Sequence, residues 1–194
     1  TDASGYFSYE FGRLSGGDAI EVFYRNPEGN DVSFFGYVPQ FTVYPDTDYL
    51  YGYGPPNETV VVTVQDDAGA TKGTANRTTQ NDGYYYVGFS DVDIAFGDTV
   101  VVDVGSLHYE QEIVILTIAA DTTNDVVYGT APSDAWLNVF ASRYFGPYDD
   151  YYYRYFRADY AGSYATNFWE GADVRGGDYL RVLYWENGHE DRVS

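Results

Sequence analysis

The chain of 194 residues lacks cysteine and methionine, and Lys72 is its only lysine. Without cysteine, no disulfide can brace the fold, and cysteine usage does not reveal a redox compartment. Ten Lys and Arg against 30 Asp and Glu give a formal net charge of −20. That charge repels nucleic-acid phosphates and anionic membrane surfaces, so neither is an expected partner. No apolar run approaches the length of a membrane span, so membrane insertion is not expected either.

An internal repeat dominates what the sequence does contain. A glycine that opens an aromatic-rich segment recurs 78 and then 79 residues apart, at Gly5, Gly83 and Gly162. A Gly-Asp pair recurs 80 residues apart, with its aspartate at Asp18, Asp98 and Asp178. Such self-similarity is the signature of a tandem array. It predicts the second half of a repeat at 1–40, a complete repeat at 41–118, and a repeat without its last strand at 119–194.

The repeated segments alternate between apolar and polar residues, as half-buried strands do. Val, Thr, Tyr and Phe are frequent in them, and Gly, Pro, Asn and Asp separate them. About six or seven strands in each unit predict an all-β chain of tandem two-sheet, immunoglobulin-like sandwiches, one of them partial. Residues 44–48 and 121–125 are expected to link the units. Residues 112–118 are expected to form the last strand of the complete unit.

The last repeat shows the landmarks most fully. It has Gly-Thr-Ala-Pro at 129–132, an alternating strand, and then Asp159, Gly162 and Tyr164 in one motif before the Gly-Asp pair. This order resembles the bacterial immunoglobulin-like repeats of large secreted adhesins and surface-layer-like proteins. The resemblance covers the whole chain, and its motifs are structural turns. It implies an extracellular, multi-domain stalk or adhesin.

Catalytic motifs are not found in the sequence. The two histidines, His108 and His189, are expected in turns near strand ends. Neither belongs to a pattern that would hold a nucleophile and an orienting acid. Paired carboxylates such as Asp91 and Asp93 are expected by chance among 30 acidic residues. The sequence therefore predicts a protein that is not an enzyme.

Calcium is the metal that the acidic residues suggest. Asp48 and Asp125 are equivalent in two repeats, and Asp46 and Asp121 lie close to them. Hard cations take several oxygen ligands from carboxylates and carbonyls, so these residues could bind Ca²⁺ and stiffen a junction. The competing interpretation, which we favour, is that they cap turns.

An aromatic segment between residues 142 and 159 is the most distinctive feature of the last repeat, and we expect it to be a long loop. Its candidate contact residues are Tyr144, Tyr148, Tyr151, Tyr152, Tyr153 and Tyr155. Alternation can bury about half of such a run, and exposed aromatic patches mark contacts. Three interpretations follow: packing between neighbouring copies in a fibre, a glycan-binding platform, or cover for the sandwich edge. We favour the first.

Two acceptor triplets for N-glycosylation begin at Asn57 and Asn76, and both are predicted to lie in turns or loops. The sequence as a whole predicts an extracellular structural or adhesive protein from a long tandem array. Its partners would be neighbouring copies or repeats. An alternative is a carbohydrate- or host-binding adhesin module that uses Tyr-rich loops. A third hypothesis is an accessory domain of a secreted enzyme.

Overall fold

The computed structural model describes residues 8, 10, 14, 16, 18–143, 150–167, 173–185 and 192–193. Every regular element within these residues is a β-strand, which confirms the predicted all-β class. The first eight strands are β1 (Ala19–Arg25), β2 (Asp31–Tyr37), β3 (Gln40–Tyr44), β4 (Tyr49–Tyr53), β5 (Thr59–Gln65), β6 (Thr71–Thr78), β7 (Tyr84–Gly88) and β8 (Thr99–Val104). The others are β9 (Leu107–Glu112), β10 (Ala119–Asp121), β11 (Val126–Thr130), β12 (Trp136–Arg143), β13 (Asp150–Arg157), β14 (Ser163–Asn167), β15 (Tyr179–Trp185) and β16 (Arg192–Val193).

The sheets repeat one arrangement. In the middle unit, β3-β4-β7 faces β6-β5-β8-β9, and in the last unit β10-β11-β14 faces β13-β12-β15. Strands β1 and β2 form a separate hairpin. All of these pairings are antiparallel, while β16 joins the edge of β3 in parallel. The middle and last units therefore share one skeleton.

Alternation along the strands produces the core of the middle unit. In β5, Val60, Val62 and Val64 are completely buried, while the residues between them are partly exposed. Leu50 and Val87 of the facing sheet belong to the same core. Each fully buried aliphatic side chain contributes roughly 1.5–3 kcal/mol, so this apolar layer is the main stabilising feature.

The last unit has its own core, built in the same way. Leu137, Val139 and Ala141 of β12 are buried against Val127 of the facing sheet. A tyrosine crosses a glycine in both units: Tyr85 lies beside Gly52, and Tyr164 lies beside Gly129. The Tyr164 hydroxyl donates to the Thr117 carbonyl oxygen at 2.6 Å.

The passage between the two cores differs from the prediction. The expected strand at 112–118 is wrong, because β9 ends at Glu112. Ile113 is buried in the first core, whereas Val114, Leu116 and Ile118 pack against the second. Apolar side chains of this connecting segment are thus drawn into the neighbouring unit. The predicted unit boundaries at residues 40 and 118 stay predictions.

The expected linkers at 44–48 and 121–125 are also corrected. Residues 45–48 form the turn that joins β3 to β4, and 122–125 form the turn that joins β10 to β11. The expected long loop at 142–159 is corrected as well, because β12 and β13 pair from the Trp136–Arg157 rung to the Arg143–Asp150 rung. Local turn residues mark a bend, but they do not show whether the flanking strands pair with each other.

Candidate functional site

Asp48 and Asp125, two of the predicted calcium ligands, have the same structural role in their units. Both adopt the left-handed backbone conformation, with φ of 53° and 54°. Asp48 Oδ1 accepts a hydrogen bond from the Ile94 amide at 2.8 Å, and Asp125 Oδ1 accepts one from the Val174 amide at 3.0 Å. Asp and Asn tolerate this conformation better than most residues. These carboxylates tie a hairpin turn to a distant loop.

The other two predicted ligands lie at the starts of the same turns. Asp121 accepts hydrogen bonds from the Thr123 and Asn124 amides and from the Asn124 side chain. These bonds lower the pKa of Asp121, and the bond from the Asn124 side chain is the largest cause. Asp46 accepts from the Thr47 hydroxyl at 3.4 Å. In the part of the chain that the structure describes, no three His, Asp or Glu side chains group as a metal site. The calcium hypothesis stays a prediction.

The predicted contact tyrosines divide into three sets. Tyr144 and Tyr148 lie outside the described residues, and Tyr151 is described only for its backbone in β13. Tyr152 packs against the second core. Tyr153 and Tyr155 point to the opposite face, are 58% and 54% exposed, and meet edge to face with centroids 6.0 Å apart. Of the six predicted residues, Tyr153 and Tyr155 are the two whose described side chains form an exposed aromatic surface.

A larger aromatic surface extends from β2 over the middle unit, where the sequence analysis did not place one. We call it the aromatic ladder. Its members are Phe35, Tyr37, Tyr44, Tyr49, Tyr51, Tyr53, Tyr84 and Tyr86. Each ring lies within 4.3–6.2 Å of another, measured between centroids. The closest parallel stack is Tyr44 on Tyr49, at 4.5 Å and 16°.

Strand register brings the ladder together. Tyr44 pairs with Tyr49, Tyr51 pairs with Tyr86, and Tyr53 pairs with Tyr84, all on the outer face of β3-β4-β7. Cross-strand aromatic pairs of this kind stabilise a sheet. The sequence signal was the period-two spacing of tyrosines within β4 and again within β7. Two strands more than thirty residues apart had to be recognised as neighbours before that signal could be read.

Four tyrosines of the ladder have a raised pKa. Burial is the main cause that raises the pKa of Tyr44, and its hydrogen bond with Tyr51 adds to it. Burial also raises the pKa of Tyr49, Tyr53 and Tyr84. These four phenols therefore keep their protons above the pH at which an isolated tyrosine ionises, about 10. The ladder is a neutral, hydroxyl-bearing surface on a chain of net charge −20.

The same outer face in the last unit carries different residues. Where the middle unit stacks Tyr44 on Tyr49, the last unit pairs Asp121 with Val126. Ser163 and Ala165 lie in β14, where β7 has its two ladder tyrosines. Tyr128 of β11 is 45% exposed. Because the skeleton forms without the other rings, the fold does not require the ladder.

The two candidate glycosylation sites occupy unlike positions. Asn57 is exposed in the turn before β5 and has a φ of 59°. Asn76 is exposed on β6, in register with Val61, so the prediction that it lies in a loop is wrong. Both side chains are accessible for modification.

The one described histidine lies in a strand, not in the expected turn. His108 of β9 contacts Asp103 through Nδ1 at 2.6 Å and Glu110 through Nε2 at 3.1 Å. These bonds, chiefly the one to Asp103, raise the pKa of His108. The imidazole is 58% exposed, so the cluster is an open surface feature.

The solved structures that are similar to the chain include two repeat or domain structures from adhesion and biofilm proteins. A crystal structure of a tetra-tandem repeat in the extending region of a large adhesion protein is 19% identical, covers 93% of this chain and 55% of that chain, and has a TM-score of 0.32. The BSP domain of a biofilm associated protein is 20% identical, covers 80% and 28%, and has a TM-score of 0.29. The chain spans less than two thirds of either structure. No protein-family model and no curated protein matches. Among the described residues, no helix is long and apolar enough to span a membrane.

Proposed function

We propose that the chain is an extracellular structural and adhesive repeat protein, a segment of a tandem array that forms a stalk or filament. The observation that carries this proposal is the recurrence of one sandwich skeleton: β3-β4-β7 matches β10-β11-β14, and β6-β5-β8 matches β13-β12-β15. Each unit contains the same hydrogen bond from a backbone amide to an aspartate. Ile94 donates to Asp48 in the middle unit, and Val174 donates to Asp125 in the last unit. Repeating a module whose core is internal lengthens a protein without requiring a new fold for each unit.

The surface of the units suits this role. A net charge of −20 keeps chains soluble and apart, so contacts between them would use uncharged faces. Tyr153 and Tyr155 provide an exposed aromatic face, and we include packing between neighbouring copies in the proposal. The His108 cluster is open to solvent, and the proposal gives the chain no catalytic role.

Force spectroscopy on the chain tests the stalk role. Pulling from both ends should give two separate unfolding events, because the strands that build each hydrophobic core come from one unit. The two-residue β16, which pairs with β3, belongs to neither core. Each event should release about 77 residues at roughly 3.6 Å per residue, or about 280 Å of contour length before subtracting the folded unit. One cooperative event spanning the whole chain would contradict a modular stalk.

A second candidate function, binding of a glycan, is favoured by the aromatic ladder. An uncharged polysaccharide fits this face, because its hydroxyls can bond to phenols and its pyranose rings can pack on exposed ring surfaces. Tyr86 is 50% exposed, which leaves part of its ring available. An acidic polysaccharide is disfavoured by the charge of the chain.

Electrophoresis through gels that contain neutral polysaccharides tests this second function. Native chain should be retarded, and a Tyr51→Ala, Tyr86→Ala variant should lose the retardation. Tyr128→Ala is the matched control, because Tyr128 lies at the position of Tyr51 in the last unit. Equal mobility of native chain and ladder variant in every gel would exclude the ladder as a glycan site.

A further inference from the structure

The β1–β2 hairpin has one apolar face without cover in the described structure. Register places Val22 opposite Phe34 and Tyr24 opposite Val32 on that face. Tyr24, Val32 and Phe34 are 60%, 66% and 65% exposed. Ile20 completes the face beside Gly36. An exposed apolar face of this kind marks an interaction surface.

Charged residues are confined to the other face of the hairpin. Arg25 and Asp31 form an ion pair there, with Nε and Oδ1 2.7 Å apart. Glu21 pairs in register with Phe35 on the same side. The uncovered face therefore has the composition of a hydrophobic core. Covered strands elsewhere in the chain show which elements would bury such a face.

The middle unit shows the same strand in a covered state. Counted from the Gly-Asp pair, Ile20, Val22 and Tyr24 correspond to Val100, Val102 and Val104. Those three valines of β8 are 0%, 0% and 1% exposed. Two neighbours bury them: β5 pairs along one edge of β8, and the β3-β4-β7 sheet covers their face. The hairpin of β1 and β2 corresponds to β8 and β9. In the described structure, no counterpart of β5 or of the β3-β4-β7 sheet lies against it.

We propose that the uncovered face of the hairpin docks the first half of a further repeat of this type, joined in tandem to this chain. A β5-like strand with alternating valines would run antiparallel along the free edge of β1, and strands like β3 and β4 would cover Val22, Tyr24 and Phe34. This inference rests on the proposed tandem array and specifies which surface joins one repeat to the next.

A second copy of the chain is a poorer occupant. Its β5 already pairs with β6 and β8, and its β12 already pairs with β13 and β15. No β5-like edge is therefore free on the described part of another copy. A repeat whose own β8-like strand is lacking has such an edge available.

An extended chain tests the proposal. Residues 40–79 are duplicated and fused directly before Asp2, which corresponds to Gln80 in the repeat. Amides of β1 that do not bond to β2 should exchange with solvent at least tenfold more slowly in the extended chain than in the original chain. Force spectroscopy should show a third unfolding event.

The matched control carries Val60→Asp and Val62→Asp in the duplicated segment only. It should show neither the slower exchange nor the third event. A Val22→Asp, Phe34→Asp variant should leave both events of the original chain unchanged and abolish the third event of the extended chain. An extended chain that exchanges as fast as the original would overturn the proposal.

Two further outcomes are decisive. If the original chain sediments as a dimer with β1 amides already protected, the occupant is a second copy and the proposal is wrong. If the original chain unfolds in one event, the stalk function fails. That result is read from the unextended chain, so the two failures are distinguishable.

Discussion

The middle and last units share a skeleton but present unlike outer faces. Inward, both have buried aliphatic residues on paired strands and a tyrosine crossing a glycine. Outward, the middle unit stacks Tyr44 on Tyr49, while the last unit pairs Asp121 with Val126. The comparison teaches that inward residues and turn residues determine this fold. The outer face is free to acquire a contact surface in one unit and not in the other.

The largest effect is expected from removing core volume in one unit at a time. Leu50→Ala should destabilise the middle unit, and Leu137→Ala the last unit, by about 2–5 kcal/mol each, because both side chains are almost fully buried. All three tryptophans lie between residues 119 and 194, so their fluorescence reports the last unit. Denaturant curves followed by tryptophan should shift for Leu137→Ala only. Equal shifts for both variants would mean that the units unfold together.

The crossed glycines give the next largest effect. A Cβ at Gly52 would overlap the Gln40 carbonyl oxygen and the Tyr85 ring, and a Cβ at Gly129 would overlap the Thr117 carbonyl oxygen. Alanine at either position should cost about 1–3 kcal/mol or more through overpacking.

Gly176→Ala is the control for these two variants, because nothing lies within 4 Å of the added Cβ. Thermal unfolding should leave this control close to native. A tolerated Gly129→Ala beside a damaging Gly52→Ala would show that the two crossings are not equivalent.

A smaller effect is expected at an ion pair of the middle unit. Asp98 accepts from the Ala95 amide at 2.7 Å and from Lys72 Nζ at 2.6 Å, and its side chain is 6% exposed. Lys72→Met should cost about 1–3 kcal/mol, because it removes a partner from a buried carboxylate.

Arg25→Met is the comparison for Lys72→Met, since its pair with Asp31 is open to solvent. Exposed pairs contribute little, so Arg25→Met should lose less stability than Lys72→Met. Chemical denaturation of both variants measures the difference, and equal losses would argue against burial as the cause.

The smallest effect concerns pH and the middle unit. The pKa of His108 is raised in the folded chain, chiefly by Asp103, so its stabilisation is present below the unfolded value of about 6.5. That stabilisation is lost as pH rises through the folded pKa. Melting temperatures of native chain and His108→Gln should differ at acidic pH and converge at alkaline pH. A difference that grows with pH would contradict this sign.

Much of the fold follows from local pattern. The predicted strands beginning at Thr59, Thr99, Trp136 and Tyr179 are present, because period-two alternation and turn residues are local signals. The Gly-Asp bends are present as well, with Asp98 bonded to the Ala95 amide and Asp178 to the Arg175 amide.

What sequence reasoning missed depends on which strands become neighbours. Residues 44–48 were expected to link units but turn within a hairpin, since a Pro-Asp turn looks the same in either setting. The aromatic ladder requires β4 to pair with β7, and the sequence of neither strand identifies the other as its partner. Asn76 was misplaced because the polar outer face of β6 has the composition of a loop.

The short passage from Ile113 to Val114 has a mechanical consequence. Ile113 is buried in the first core and Val114 packs on the second, so no linker residues separate the two cores. Pulling this segment away from the second core would expose Val114, Leu116 and Ile118 to water, which costs free energy in proportion to the apolar area exposed. In the proposed tandem array, a junction of this kind would limit bending between the two units that it joins.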